Sequence, residues 1–288
     1  MNAVEFDRVT KSFRPGLLAA PFHALQGISF GIGEGEVVGL LGANGSGKST
    51  LLKIILGLLA PTSGRCRIFD RPPGCAEARI DVGYLPESPE FYPFLTGNEL
   101  VRHFARLAGL DGASREDRSR EAIARVGMET DAVRRVGAYS RGMKQRIGLA
   151  QALVTNPRLV ILDEPTANLD PEGAEDIAEI VRGIRRRGGT VLLSSHNLGQ
   201  IEDLCTRVVV LNRGRLVASG TVSELTQPFC GDTCVVESLP AESLPALRAW
   251  IERHGARLRA GRCGRKTALE NAYLAAARGG GPDEEGFP

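Results

Sequence analysis

Glu36-Val37-Val38-Gly39-Leu40-Leu41-Gly42-Ala43-Asn44-Gly45-Ser46-Gly47-Lys48-Ser49-Thr50 is the stretch whose reading settles the fold class. Its first six residues form a short apolar run bounded by glycines, which suits a strand buried on both faces of a parallel sheet. A glycine-rich turn follows, and helical spacing is expected from Ser49 to Leu59. Residues Gly42 to Ser49 fit the phosphate-binding pattern G-x-x-x-x-G-K-[ST] in its confirming context, after a strand and before a helix. Glycines there let backbone N–H groups converge on a phosphate, and the helix that follows offers its positive end. Lys48 is expected to bridge the β- and γ-phosphates of a nucleoside triphosphate, and the Ser49 hydroxyl to hold Mg²⁺. Gly42, Asn44, Gly45, Ser46, Gly47, Lys48, Ser49 and Thr50 are therefore the candidate phosphate contacts.

Working outward, the same buried-strand style recurs at Leu159–Leu162, Thr190–Leu193 and Val208–Leu211, with helix-patterned segments between. Shorter alternating strands are expected at 4–9 and 25–32. Ser114-Arg115-Glu116-Asp117 reads as a capping box opening a helix to about Gly127. Pro171-Glu172 opens another that ends near Gly188-Gly189. Strands alternating with helices predict an α/β architecture.

The run Leu159-Val160-Ile161-Leu162 ends in Asp163-Glu164. A buried strand cannot carry charge along its length, but its carboxyl end opens at the ligand site of such sheets. Asp163 is placed to bind Mg²⁺ directly or through water, and Glu164 to polarise the attacking water as general base.

Composition narrows the remaining choices. The formal charge is +2 over 288 residues, so the overall field does not announce a nucleic-acid partner, and none is expected. Thirty-one of the 36 basic residues are Arg, spread along the whole chain. No apolar run reaches the roughly 18–20 residues of a spanning helix. Glu5 and Asp7 precede any apolar stretch, which argues against a secretory signal, so a cytoplasmic protein is expected. The six cysteines (66, 75, 205, 230, 234, 263) form no C-x-x-C pair and read as free thiols. After about Val222 the character changes. Thr233–Glu237 reads as a strand, and Leu244–His254 and Thr267–Arg278 as helices. Residues 1–222 are thus expected to form one nucleotide-binding domain, with a helical subdomain at about 88–156. Residues 223–278 would be a small α/β appendage, and 279–288 a Gly-, Pro- and acid-rich disordered tail.

Tyr139-Ser140-Arg141-Gly142-Met143-Lys144-Gln145-Arg146, 17 residues before Asp163, resembles the signature motif of the ABC ATPases. It has the Y-S-x-G-M-x-Q-R form of the branch whose permeases are mostly of the ABC-2 type, typically exporters. Asn168-Leu169-Asp170 resembles that family's D-loop, and His196 its switch histidine. The resemblance implies the ABC fold of a mixed sheet core, an antiparallel β subdomain and an α-helical subdomain. It implies ATP as the nucleotide, hydrolysed with Mg²⁺, and two domains paired head to tail, with a homodimer closed by ATP as the expectation. Ser140 and the Gly142 backbone would face the partner's γ-phosphate. Asp170 of the D-loop would be a further nucleotide contact, and His196 would contact the γ-phosphate and help position Glu164 and water. Phe13 matches the aromatic that stacks on adenine, although Phe22 competes for that role.

The family usually carries Gln after its G-Y-x-P stretch, but here Gly83-Tyr84-Leu85-Pro86 is followed by Glu87. Glu87 is expected as a third Mg²⁺ ligand beside Ser49 and Asp163; the alternative is a residue that only faces the permease. Phe91-Tyr92-Pro93-Phe94-Leu95-Thr96 resembles the surface that receives a permease's coupling helix, or else belongs to the helical core. Thr267 to Leu274 resembles the T-x-L-E-[DN]-x-[FY]-L ending of many ABC-2-type ATPases. The function implied is the ATPase subunit of a transporter, exporting rather than importing, held on the cytoplasmic face of the membrane by its permease. The other class is a soluble ABC ATPase acting on ribosomes or DNA. A single ATPase domain and the absence of sustained heptads argue against it.

Overall fold

The computed structural model of the chain describes residues 2–14, 21–195, 198–226 and 273–274. Strands β1 (Asn2–Phe13) and β2 (Phe22–Gly33) pair antiparallel. Strand β3 (Val37–Leu41) runs through the glycine turn into helix α1 (Lys48–Ile55), and β4 (Ser63–Ile68) returns to the free edge of β1. Helix α2 (Ala76–Ile80) and β5 (Val82–Leu85) precede a helical layer of α3 (Gly97–Leu107), α4 (Gly112–Arg125) and α5 (Arg141–Leu153). The chain then alternates through β6 (Leu159–Asp163), α6 (Pro171–Arg186), β7 (Thr190–Ser194), α7 (Leu198–Leu204) and β8 (Arg207–Asn212). Strand β9 (Arg215–Thr221) and helix α8 (Val222–Thr226) follow.

The result is a three-stranded antiparallel sheet, order β2-β1-β4, beside a six-stranded sheet, order β5-β6-β7-β3-β8-β9. Among the described residues of the larger sheet, only β9 runs antiparallel to its neighbour. All five residues of β3 are buried, and they alternate between two cores. Val37 and Leu41 join the helices α3–α7 on one face, while Val38 and Leu40 join α1 and the small sheet on the other. Burial on both faces explains the unbroken apolar run, since each buried Leu or Val contributes about 1.5–3 kcal/mol. In-register parallel pairing of Leu85 with Leu162 and of Leu162 with Leu193 aligns the carboxyl ends of β5, β6 and β7 along one edge.

Three local expectations change. Helix α1 stops at Ile55 rather than Leu59, because Gly57 turns left-handed (φ 67°). It packs so closely on a second turn that a Cβ there would stand 2.4 Å from the Cα of Gly74. Helix α4 begins at Gly112 with Asp111 as its N-cap, so Ser114 lies inside the first turn and its capping box does not form. The box is built instead on Thr96 and Glu99 at the start of α3. There the Thr96 N–H donates to Glu99 Oε2 (2.8 Å) and the Glu99 N–H to Thr96 Oγ1 (3.2 Å). Those bonds to Thr96 hold the Glu99 carboxyl below its ordinary range. The first two strands also run longer than 4–9 and 25–32. Helix α6 starts as expected, with Pro171 at its first turn and the Asp170 carboxylate accepting from the Gly173 N–H at 2.9 Å.

The strand expected at Thr233–Glu237, the helix at Leu244–His254 and the tail 279–288 lie outside the described residues. Of the last helix only Tyr273 and Leu274 are described, and Tyr273 packs against the helix-covered core.

Candidate active site

The loop from Gly42 to Gly47 is pinned on both sides. The Gly214 N–H, in the β8–β9 turn, donates to Ser46 O at 2.9 Å, and the Ser46 N–H closes onto Ala43 O at 3.1 Å. A Cβ on Gly42 would fall 2.3 Å from Ser46 Oγ and 2.6 Å from Leu211 O, and one on Gly47 (φ 109°) would fall 2.8 Å from Ala24 O. These two glycines are therefore demanded by how tightly the loop is wrapped. The Ser46 hydroxyl is buried and lacks a hydrogen-bond partner among the described residues. Leaving such a group unpaired costs about 1–3 kcal/mol, so a polar partner at that hydroxyl would be stabilising. Asn44 and Ser49 are exposed, and Thr50 half-buried. Lys48 is 8% exposed, with its ammonium against Gly42 O (2.6 Å) and Ala43 O (3.4 Å). An ammonium has three N–H donors, so the loop carbonyls leave one for an incoming anion. The positive end of α1 adds to the same field.

Two strands away, β6 ends on the paired acids. Ser194, at the end of β7, organises both. Its hydroxyl donates to Asp163 Oδ1 at 2.6 Å and accepts from the Glu164 N–H at 2.9 Å, while its carbonyl accepts from the same N–H at 3.1 Å. Glu164 is held in the left-handed region (φ 47°). Tyr84, on the neighbouring β5, has its hydroxyl pushed above the ordinary phenol range, mainly by burial and then by the Asp163 charge. Ser194 and Tyr84 were not singled out by the sequence. A Ser closing an apolar strand was the available signal for the first.

Glu87 is exposed just past β5, the strand beside β6, and its main-chain carbonyl accepts from Gln145 Nε2 at 2.8 Å. Asp170 caps α6. Between these elements Thr166 Oγ1 donates to Gln200 Oε1 at 2.8 Å, which joins the turn after β6 to α7. His196 lies outside the described residues. Ser140 and Gly142 are not brought to this loop. They open α5, which lies along β5 and is separated from β3 by β6 and β7. Ser140 is exposed and caps the helix, its Oγ accepting from the Met143 N–H at 3.3 Å. Tyr139 anchors the approach to that helix by donating to Asp131 O at 2.9 Å.

Phe13 and Phe22, the two aromatics competing for one role, are directly opposed partners of the β1–β2 ladder and both are exposed. The Lys11 ammonium lies 5.3 Å from the Phe13 ring centroid. Among the other aromatics, Phe91 packs into the helical core, whereas Tyr92 and Phe94 are exposed with centroids 5.7 Å apart. The helical-core reading of that segment thus holds for Phe91, while Tyr92 and Phe94 stand on the surface. Burial pushes the Cys66 and Cys205 thiols up to about 12, so neither forms a thiolate at neutral pH.

Comparison with known proteins now decides the family. The ABC transporter ATP-binding protein YdbJ of Bacillus subtilis is 41% identical over 221 residues, covering 76% of this chain and 70% of YdbJ. The chain belongs to the ABC transporter ATP-binding proteins. The family described as ABC transporter matches residues 25–167, which hold the glycine loop, the signature segment and the paired acids. The protein sll0415 of Synechocystis is 37% identical over 227 residues, and the match spans 64% of that longer relative. The fluoroquinolones export ATP-binding protein Rv2688c of Mycobacterium tuberculosis is 39% identical over 218 residues, 74% of this chain and 70% of its own. Among solved structures, the dimeric ATP-binding cassette MJ0796 bound to ADP and Pi superposes with a TM-score of 0.68 at 28% identity. The match covers 76% of this chain and 98% of that one. The ATPase cassette is therefore this chain's fold. Among the described residues no helix is long and apolar enough to cross a membrane.

Proposed function

We propose that this chain is the ATP-hydrolysing subunit of an exporter, acting as a pair of copies on the cytoplasmic face beneath a separate permease of the ABC-2 type. The observation that carries the paired arrangement is Gly142. It has an ordinary helical conformation, and a Cβ built on it meets nothing within 4 Å. No packing among the described residues demands a glycine there, although Gly is about 1 kcal/mol worse than Ala in a helix. A close approach from outside does demand one. With exposed Ser140 beside it at the start of α5, the ligand that fits is the phosphate end of an ATP held by a second copy.

In that arrangement the chain's own residues divide the work. The loop amides and Lys48 bind the phosphates, and Ser46 Oγ gains the partner it lacks. Glu164 orients a water and takes its proton as the oxygen attacks the γ-phosphorus; the bond from that phosphorus to the β,γ-bridging oxygen breaks, and ADP leaves with inorganic phosphate as the other product. Phe13 or Phe22 covers the base, Asp170 borders the second copy, and His196 completes the γ-phosphate contacts. Mg²⁺ fits the donors present, all hard oxygens and few in number: the Ser49 hydroxyl, Asp163 steered by Ser194, and Glu87. When bound, the ion supplies charge neutralisation for the phosphoryl group in flight.

Export is favoured by the name of the mycobacterial relative and by the Y-S-x-G-M-x-Q-R segment, and the ABC-2 type by that segment and by Thr267–Leu274. The exposed Tyr92–Phe94 patch is the surface offered to the permease. We read residues 1–222 as the catalytic unit, with the helical layer near 88–156, and 223–278 as an appendage to it. The test is Glu164→Gln, which keeps shape and loses the base. Hydrolysis should fall about 10²-fold or more, and with ATP and Mg²⁺ the protein should sediment as a dimer. A monomer at every ATP concentration refutes the paired site.

A further inference from the structure

Gln145 is the most deeply buried polar side chain of the signature helix, 1% exposed, and the site described above gives it no task. Its Nε2 donates to the main-chain carbonyl of Glu87 at 2.8 Å, across 58 residues of sequence. Its Oε1 is buried with no partner among the described residues. One turn on, a Cβ at Gly148 would meet Leu85 Cδ1 at 2.6 Å and Phe91 Cζ at 3.3 Å. Another turn on, Ala152 O stands 2.2 Å from where a Gly83 Cβ would be. Residues 145, 148 and 152 thus form one stripe of α5 that clasps β5 and the turn leaving it. Gly148 and Ala152 do so by shape. Gln145 does so with a single directed hydrogen bond, at the residue whose carboxylate we assign to the metal.

A buried amide with one orphaned oxygen is a poor stabiliser, because a leucine of similar volume would leave nothing unsatisfied on the helix side. Its worth must lie in geometry. We propose that Gln145 is a positioning residue: it ties the Glu87 backbone to the helix that carries Ser140 and Gly142. The metal-side carboxylate of one ATP and the signature face offered to the other then move as one body. The inference rests on Glu87 standing at the Mg²⁺, and the test separates the two claims.

The full chain is assayed for phosphate release against Mg²⁺ at saturating ATP, and for thermal melting, as wild type, E87Q, Q145L and Q145E. Both E87Q and Q145L should raise the Mg²⁺ concentration for half-maximal rate at least threefold, and Q145L should melt no lower than wild type. Q145E keeps the shape but donates only when protonated. Its rate relative to wild type should therefore be low at pH 8 and recover at least threefold by pH 6. A shifted E87Q with an unshifted Q145L overturns the role of Gln145 and leaves that of Glu87 intact. An unshifted E87Q overturns both. Loss of activity in Q145L and Q145E alike, with lowered melting and a pH-independent Q145E ratio, makes Gln145 merely structural and overturns the proposal.

Discussion

Gly142→Ala is a change that should separate folding from function. The added methyl meets, among the described residues, no atom within 4 Å beyond its chain neighbours and its own helix backbone, and the residue keeps an ordinary helical φ. Exchanging Gly for Ala in a helix is worth up to about 1 kcal/mol, less near the end of the helix where residue 142 sits. For a domain of this size that corresponds to a melting temperature raised by about 1–4 °C. ATP bound on the protein's own glycine loop should be held with unchanged affinity, since α5 lies across β6 and β7 from β3. Turnover should nonetheless fall about 10²–10³-fold, the usual cost of losing a preorganised phosphate contact. The assays are calorimetric melting, equilibrium binding of a fluorescent ATP analogue and phosphate release. A more stable protein that binds ATP and fails to hydrolyse it is the expected outcome. Wild-type turnover would show that nothing approaches Gly142, and a melting point lowered by several degrees would show that the chain itself needs the glycine.

Lys48→Ala should abolish ATP binding or cut hydrolysis by about 10²–10³-fold; wild-type phosphate release would remove the assignment of the loop. Cys66 and Cys205, with thiols pushed up to about 12 by burial, should resist iodoacetamide in the native protein at pH 8 and react on unfolding, read by peptide mass spectrometry. The sign for stability follows from the same burial. The unfolded thiols ionise from about pH 9 while the folded ones stay protonated, so their contribution is complete below that pH and is lost as pH rises through 9 toward 12. Native labelling of either cysteine at pH 8 would contradict the packing around it.

The parts of the fold that were legible in sequence are those where one physical demand acts alone. β3, β6, β7 and β8 are buried on both faces, so their apolar runs needed no context. Pro171 and the Gly188-Gly189 pair bound α6 through backbone chemistry that any helix shares. β4 and β5 were less legible, because Ser63-Gly64-Arg65-Cys66-Arg67-Ile68 carries charge on an edge and β5 has only four residues. The capping box was sought at Ser114 and belongs to Thr96. Both segments fit the pattern, and only packing against Ala132 and Tyr139, where the Tyr139 hydroxyl lies 2.4 Å from a Cβ on Gly97, selects between them. Gln145 and Ser194 were invisible for a different reason. Their partners are a main-chain carbonyl and two acids brought near by sheet register, and register is not written in any one segment.

Asp163 and Glu164 show what that register adds to a legible motif. Two acids in succession at the end of a strand would point to opposite faces if the chain stayed extended. Instead Glu164 turns left-handed, a conformation that costs a non-glycine residue roughly 1–2 kcal/mol. The turn persists because the surroundings fix it three times over. Both oxygens of Ser194 accept the Glu164 N–H, and the Glu164 carbonyl accepts from the Ala167 N–H at 3.0 Å. The same Ser194 hydroxyl, having accepted from Glu164, donates to Asp163. Local strain held by hydrogen bonds is characteristic of residues whose direction matters more than their stability. One serine on β7 thereby holds both the Asp163 carboxylate and the backbone turn at Glu164. In the proposed mechanism the adjacent acids then take different tasks, one beside a cation and one beside a water.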